Sequence, residues 1–465
     1  MLRNPVLLSI LLLFSRVLSP GLEVDLGEAE SLALSSSADL RHGREQLRLA
    51  TLNRTLDIRA FLPQVALRYS DRYHRVLHGE DSESYSLVFD IRQPLFDGGR
   101  SHSARKLSAV QLELQAASLD AAIETVKDTL WRSFHQLLLT GEELRLQREL
   151  YDLSSEELKI TRLKQELGSI TEIDYLDAMM NLQGQEIGIL ETESRKKTQE
   201  TAFLFLLGLD SRLTEDEELI LRGDIDRQYP GLALSPEDRR IYEETALARN
   251  LDLRKQSAAI LQAYSQRRLT RTSFIPAVNL EVSVSFSGDR LPMQDTGYSA
   301  GISLEVPWDP FPLSGSSELS VQGEHTRSNG LAGETSILPD IAYIGNYRTA
   351  ELQLSRELSA LEEMKKEISH NLSALLETHR QRRLALDLLR QRQELQKRKL
   401  QILEARNNLG EVPELTLLEA RTDYYEGEIS LGESVLDLLL CERELEQLLG
   451  LGIGELTHLV PRVSE

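Results

Sequence analysis

The chain is short of several things, and each shortage excludes something. Among 465 residues there is one cysteine, Cys441. This excludes an intramolecular disulfide, a cysteine-based zinc site and a CxxC redox centre. Cys441 also lies at the wrong end for a lipid-modified N-terminal cysteine, and it reads as a small buried apolar residue. Aromatic residues are 5% of the chain. Beyond residue 21 no stretch of 18 apolar residues occurs, so no transmembrane helix is expected. Basic residues are outnumbered: Lys+Arg is 53 against 74 Asp+Glu, a net charge of −21. Phosphates would be repelled, so nucleic acid is not an expected partner. No Gly-rich phosphate loop, HExxH or GxSxG motif occurs. His74 and His78 are four apart but lack a third ligand. No enzyme activity, cofactor or metal is expected.

What is present begins at the N-terminus. Arg3 precedes an apolar run over residues 6–14, and small residues follow at 19–21. Such a run is too short to span a bilayer and has the pattern of a secretory signal peptide, residues 1–21. The protein is therefore read as exported. It is either soluble outside the cytoplasm or crosses a membrane by strands.

The rest is a duplication. Phe61-Leu62-Pro63-Gln64-Val65-Ala66-Leu67 matches Phe274-Ile275-Pro276-Ala277-Val278-Asn279-Leu280 at an offset of 213. Asp39-Leu40-Arg41 matches Asp252-Leu253-Arg254 at the same offset. Further on, Leu167-Gly168 matches Leu409-Gly410, and Leu206-Leu207-Gly208-Leu209 matches Leu448-Leu449-Gly450-Leu451, at an offset of 242. The difference of 29 is an insertion in the second copy. Residues 309–339, rich in Pro, Gly and Ser, hold it and are read as a loop. Repeat 1 spans 22–207, a linker 208–235, repeat 2 236–452, and a tail 453–465.

Each repeat reads as a leading helix (about 27–60 and 236–273), a β-hairpin (about 64–93 and 277–306) and a long helical hairpin (about 101–207 and 340–449). In the hairpins apolar residues alternate with polar ones, as in Val278, Leu280, Val282, Val284 and Phe286. Each strand has about the 10 residues that a tilted strand needs to cross a bilayer. The helical segments are proline-poor and carry heptad seams. One holds Leu119, Ile123, Val126, Leu130, Leu137 and Leu144; the other holds Leu354, Leu358, Leu361, Ile368, Leu372 and Leu375. A helix over 101–167 would be roughly 100 Å long.

Two repeats supply four amphipathic strands. Four strands cannot close a barrel, and open edges in lipid leave backbone groups unpaired. Strands that span a membrane must therefore be pooled from several chains; a soluble sheet packed on helices is the alternative.

The ordered set of elements resembles the TolC-type outer-membrane efflux proteins over nearly all of residues 24–452. The resemblance rests on the duplication and on Leu26-x-x-Ala29-x-x-x-Ala33-Leu34. It also rests on Leu62-Pro63 before the first strand and Gln93-Pro94-Leu95-Phe96-Asp97-Gly98-Gly99-Arg100 after the second. A tip pattern recurs at 168–178 and 410–420. The second-copy exit, Glu305-Val306-Pro307-Trp308-Asp309, departs from the pattern by lacking Gly-Gly. The resemblance implies a mainly helical fold: a periplasmic α-barrel of long antiparallel coiled-coil helices and four transmembrane strands per chain in a shared barrel. It implies a homotrimer in the outer membrane, with lipid around the barrel. It also implies a periplasmic adaptor and an inner-membrane transporter as partners, and a small-molecule or protein cargo for efflux or type I secretion. A periplasmic adaptor protein and an exported coiled-coil scaffold are the competing readings. An adaptor would have one helical hairpin between β-rich domains, and a scaffold would have no paired amphipathic strands.

The helical tips are the candidate site. Asp174 and Asp177 share a helix face, and Glu414 and Glu419 lie at the corresponding tip of the second copy. Repeated around an axis, they would form carboxylate rings at a periplasmic gate. An ordinary solvated helix face is the alternative for these four. The turns Gly168-Ser169-Ile170-Thr171 and Gly410-Glu411-Val412-Pro413 are the expected adaptor contacts. His102, His135, His370 and His379 lie on long helices and are expected to be solvated.

Overall fold

The structure, a computed structural model, describes residues 21–75, 82–209, 218–235, 238–272, 275–306, 313–322, 326–335, 342–409, 411–412 and 414–459. In chain order the elements are β1 (Gly21–Asp25), α1 (Leu26–Ser36), α2 (Ala38–Leu56), a 3-10 turn (Asp57–Phe61), β2 (Gln64–His74) and β3 (Ser82–Phe96). Then come α3 (Arg100–Glu166), α4 (Glu172–Leu207), β4 (Glu218–Arg222), α5 (Arg239–Arg249), α6 (Leu251–Thr272), β5 (Ala277–Gly288) and β6 (Asp295–Val306). The last are β7 (Leu313–Gln322), β8 (Thr326–Thr335), α7 (Ala342–Asn408), α8 (Glu414–Leu449) and α9 (Leu456–Leu459). The duplication is kept to the residue: α3 and α7 each have 67 residues, α4 and α8 each 36. The chain divides into two compact units, 42–119 with 251–365, and 120–250 with 1–41 and 366–465.

The first unit holds an antiparallel sheet in the order β2-β3-β5-β6-β7-β8. Segment 309–339 was expected to be a loop. It carries β7 and β8 instead, so the four expected strands are joined by two more. Ser- and Gly-rich segments have little intrinsic strand preference; a ladder of ten pairs to β6 supplies the backbone partners that decide the matter here. β3 also outruns its expected end and reaches Phe96, with a register shift between Pro94 and Phe96. Proline has no N–H to give to the ladder, and an irregularity absorbs it.

Register puts one residue set on each face of this sheet. One face carries Val65, Leu67 and Tyr69, then Leu87, Phe89 and Ile91, then Val282, Val284 and Phe286, then Tyr298, Ala300 and Ile302. The other is lined by Ser, Arg, Asp and Glu. There Arg68 donates to Asp90 at 2.5 Å, Arg92 to Glu305 at 2.7 Å, and Ser283 pairs with Ser299 at 2.7 Å. Leu67 and Tyr69 are exposed although apolar.

Asp97 starts α3. Its carboxylate accepts from the N–H of Gly99 at 2.8 Å and of Ser101 at 2.6 Å. Partial burial pushes this carboxyl up, but the hydrogen bonds prevail and hold it below the usual range. Gly98 passes so close to Ile275 that an added Cβ would lie 2.6 Å from the Ile275 Cβ.

The second unit contains α4, α8 and the larger parts of α3, from residue 120, and of α7, from residue 366. Leu130, Leu137 and Leu144 of the expected α3 seam are buried, and so are Ile368 and Leu372 of α7. Leu358, expected in the α7 seam, is 47% exposed. A core joins both ends of repeat 1: Val24 of β1, Ala29 and Ala33 of α1, Phe134 of α3, Phe203 of α4 and Leu219 of β4. The linker 208–235 is thus not a plain connection, because β4 pairs in parallel with β1. The expected start of the second leading helix, at about residue 236, lies outside the described residues; α5 begins at Arg239.

The leading helices were expected to be continuous, yet both break, at Ser37 and Asn250 (ψ 124° and 127°). The long helical hairpins end against those breaks. A Cβ on Gly208 would meet the Ser36 Cβ at 2.3 Å, and one on Gly450 the Arg249 carbonyl oxygen at 2.3 Å. Both glycines have positive φ, 72° and 69°. Asn250 completes the contact by donating its side-chain N–H to the Leu448 carbonyl at 3.0 Å. Gly450→Ala must therefore accept left-handed strain and a backbone clash together. It is expected to cost about 2–4 kcal/mol, read as a lower denaturation midpoint.

Candidate functional site: helical tips and exposed helix seams

One backbone hydrogen bond recurs at both tips. The N–H of Ser169 donates to the Lys164 carbonyl at 2.8 Å, and the N–H of Glu411 to the Arg406 carbonyl at 3.1 Å. These four residues are related by the 242 offset. Gly168 and Ser169 are exposed, while Ile170 and its counterpart Val412 are half-buried. Gly410, Pro413 and the Glu414 side chain lie outside the described residues.

Thr171 caps α4. Its Oγ accepts from the N–H of Asp174 at 3.2 Å, and the Asp174 carboxylate accepts from the N–H of Thr171 at 3.0 Å and from its hydroxyl at 2.7 Å. This is a reciprocal capping box. The Thr171 hydroxyl and N–H hold the Asp174 carboxyl below the ordinary carboxylate range. So Thr171 and Asp174 are brought together, with Asp174 engaged by its own helix start. Asp177 and Glu419 are exposed.

Thr171→Ala is expected to loosen the first turn of α4 by about 1 kcal/mol, read as faster amide exchange over 172–176. Because the folded value of Asp174 is depressed, its stabilisation is present above the ordinary carboxylate value. It is lost as pH falls through the folded value, so exchange in the parent protein should approach the variant's only in acid.

Above the tip the helices are tied by charge. Arg421 of α8 donates to Glu157 of α3 at 3.1 Å. Lys399 of α7 donates to Asp423 of α8 at 3.1 Å. Farther along, the linker is pinned to the helices. Glu442 accepts from the Tyr229 hydroxyl at 2.5 Å, the Leu232 N–H at 2.8 Å and faces His379 at 3.0 Å. Burial and the adjoining Glu442 push the Tyr229 phenol well up. His379, expected to be solvated, is therefore a buried partner of Glu442. His135 is also largely withdrawn from water, stacked on Trp131 at 4.1 Å, and burial lowers its pKa. His102 and His370 are exposed. A cleft of about 440 Å³ lies between α3, α4 and the linker. Its cations are already neutralised: Arg145 and Arg227 by Glu142, Lys196 by Glu200.

Two apolar stripes escaped the sequence analysis. On α4, Ile173, Met180 and Ile187 are seven apart and 69%, 59% and 58% exposed. On α7, Leu388, Leu395 and Ile402 are seven apart and 66%, 66% and 57% exposed. Seven-residue spacing was the available signal; exposure was not legible. Within the chain α3 packs on α8, as Glu157–Arg421, Asp128–Arg443 and a Leu139–Gly432 contact demonstrate. By the 242 offset α7 is the counterpart of α3, and α4 of α8.

The features together define an internally duplicated chain of paired long helices with an amphipathic antiparallel sheet. Residues 30–209 match the family described as outer membrane efflux protein. The outer membrane protein OprJ of Pseudomonas aeruginosa is 25% identical over 146 residues, 30% of this chain and 30% of OprJ. The chain thus matches under a third of that relative's length. Among solved structures, CusC superposes with a TM-score of 0.72 at 14% identity, over 92% of each chain. VceC, an outer membrane protein of Vibrio cholerae, gives 0.70 at 13% identity over 92% of this chain and 96% of its own. The CmeC outer membrane channel of Campylobacter jejuni gives 0.69 at 16% identity over 91% and 85%. The chain has the fold of the TolC-type outer-membrane channels, and its first repeat carries the sequence match to the outer membrane efflux proteins.

Proposed function

We propose that the protein is an outer-membrane channel-tunnel: a passive exit duct for efflux or type I secretion, built as a homotrimer. An inner-membrane transporter, engaged through a periplasmic adaptor, supplies the energy, and the chain itself performs no chemistry. The carrying observation is the pair of exposed stripes on α4 and α7. In the quasi-equivalent pairing, α7 of one copy lies antiparallel to α4 of the next, setting Ile402 against Ile173, Leu395 against Met180 and Leu388 against Ile187. A head-to-tail contact of this kind forms a ring when its rotation closes, and three copies are the closure proposed here. The amphipathic sheet supports the same reading, with its apolar face toward lipid and its polar face toward a lumen. Helices of 67 residues reach roughly 100 Å at 1.5 Å per residue. The tips are the adaptor contacts, and Asp177 and Glu419, with Asp174 and Glu414, give the gate its negative charge.

Electron microscopy of the detergent-extracted protein tests this. A three-fold particle with a long tunnel and a short barrel cap is expected. A monomer, or a rod without a barrel, would overturn the duct in favour of the adaptor or scaffold reading. In planar bilayers the pore is expected to prefer cations; anion preference would remove the gate assignment.

A further inference from the structure

The insertion of the second repeat has been placed as a hairpin, and its position bears on how copies meet. β7 pairs with β6 over ten residues, Val306 with Leu313 through Gly297 with Gln322. Nearly the whole length of β6 is thereby used. The open edges of the sheet are β2 and β8, not β2 and β6. An edge in lipid cannot stay open.

We propose that β7–β8 is a third membrane-spanning hairpin of each copy, and that the barrel seam joins β8 of one copy to β2 of the next. This rests on the channel reading above. Three copies of a six-stranded sheet then close eighteen strands instead of the family's twelve.

Three observations carry it. First, β7 and β8 have ten residues each, the length of a tilted spanning strand. A connecting loop has no need of that length or of continuous pairing. Second, the strand number per copy stays even. The sheet is antiparallel throughout, so β8 runs opposite to β2, and the seam between copies is antiparallel like every other pair.

Third, the faces continue. The row that begins with the apolar side chains of β2 runs on through Leu313, Leu319 and Val321 of β7 to Leu331 of β8, with the small or polar Gly315, Ser317, Asn329, Gly333 and Thr335 between them. The glutamates of the hairpin, Glu318 and Glu334, are on the opposite, polar face. On the apolar face the charges of the whole described sheet are Asp71, Glu83 and Arg327. Glu83 and Arg327 lie within a residue of a hairpin turn and Asp71 three residues before the end of β2, and the three hairpins turn at the same end of the sheet. A charge there sits near the membrane interface, where it costs about 0–1 kcal/mol, against about 2–4 kcal/mol for a basic residue at the midplane.

The test uses the full chain, extracted from membranes in detergent and imaged by cryo-electron microscopy. Eighteen strands are expected, in a barrel about 1.5-fold wider than one of twelve. A second measurement reads the seam directly. Cysteines at Ser328→Cys with Arg72→Cys, and at Ala332→Cys with Arg68→Cys, are expected to form disulfides between copies and give covalent trimers. Cys441 is fully buried and does not interfere. The pair Ser299→Cys with Ser70→Cys reports a β6–β2 seam and is expected to stay unlinked. A twelve-stranded barrel with that last pair linked would overturn this proposal and leave the channel intact. A particle with no barrel would overturn the channel reading, and this proposal with it.

Discussion

Arg443→Met is expected to cost the folded chain about 3–5 kcal/mol, the loss seen when one partner of a buried ion pair is removed. The Arg443 side chain is 2% exposed. It donates to Asp128 at 3.1 Å, Glu446 at 3.2 Å and Glu124 at 3.4 Å, so one guanidinium answers three carboxylates from two helices. Methionine fills a similar volume but leaves Glu446 without its cation, while Asp128 keeps only Arg132 at 2.8 Å and Glu124 only Lys127 at 3.8 Å. The pH dependence has a definite sign. Burial already raises the Glu446 carboxyl, against the opposing pull of the Leu456 N–H and Arg443. A raised folded value means stability that is full below the unfolded value and lost as pH rises through the folded one. Without Arg443 the shift grows, so the variant's deficit should shrink as pH is lowered from about 7 to about 5. Denaturation midpoints of the two proteins at several pH values check this. A deficit that is the same at every pH would mean that Arg443 acts through packing alone.

Leu395→Asp is expected to abolish the oligomer while leaving the protomer folded. Leu395 is 66% exposed in the single chain, so an aspartate there meets water and changes stability by about 0.5 kcal/mol or less. In the ring the same aspartate would be buried against Met180 of the next copy, unpaired, at each of the three contacts. An unpaired buried charge costs several kcal/mol per site, more than an apolar seam of this size can offset. Light scattering on the extracted protein is expected to show monomers with unchanged helix content by circular dichroism. Met180→Asp, on the opposite side of the same contact, should do the same. If both variants remain trimeric, the quasi-equivalent pairing of α7 with α4 is wrong.

Much of this protein was legible before folding. The duplication could be read because sequence offsets survive where the backbone must repeat a turn, as at Gly208 and Gly450, both at positive φ where the helical hairpins end. The first and second hairpins were legible from alternation, since a sheet with one apolar face writes a period of two into its strands. Long helices were legible from sparse proline and heptads.

Other features depend on contacts distant in sequence. Ser314, Ser316, Ser317 and Ser320 read as loop residues, and only pairing with β6 makes them a strand. The breaks at Ser37 and Asn250 carry no proline or glycine; what marks them is the close approach of Gly208 and Gly450 from the far ends of the helical hairpins. Arg443 stands among Glu442, Glu444 and Glu446, as on any solvated acidic helix, until Asp128 and Glu124 arrive from residues more than 300 positions away. His379 is buried for the same reason: Glu442 and the linker cover it. Local pattern thus determined the elements, their order and their number of copies, because period and turn chemistry act over a few residues. The tertiary structure decided which polar groups are buried, which apolar stripes stay bare and which strand forms the edge, because those outcomes depend on what the rest of the chain brings alongside.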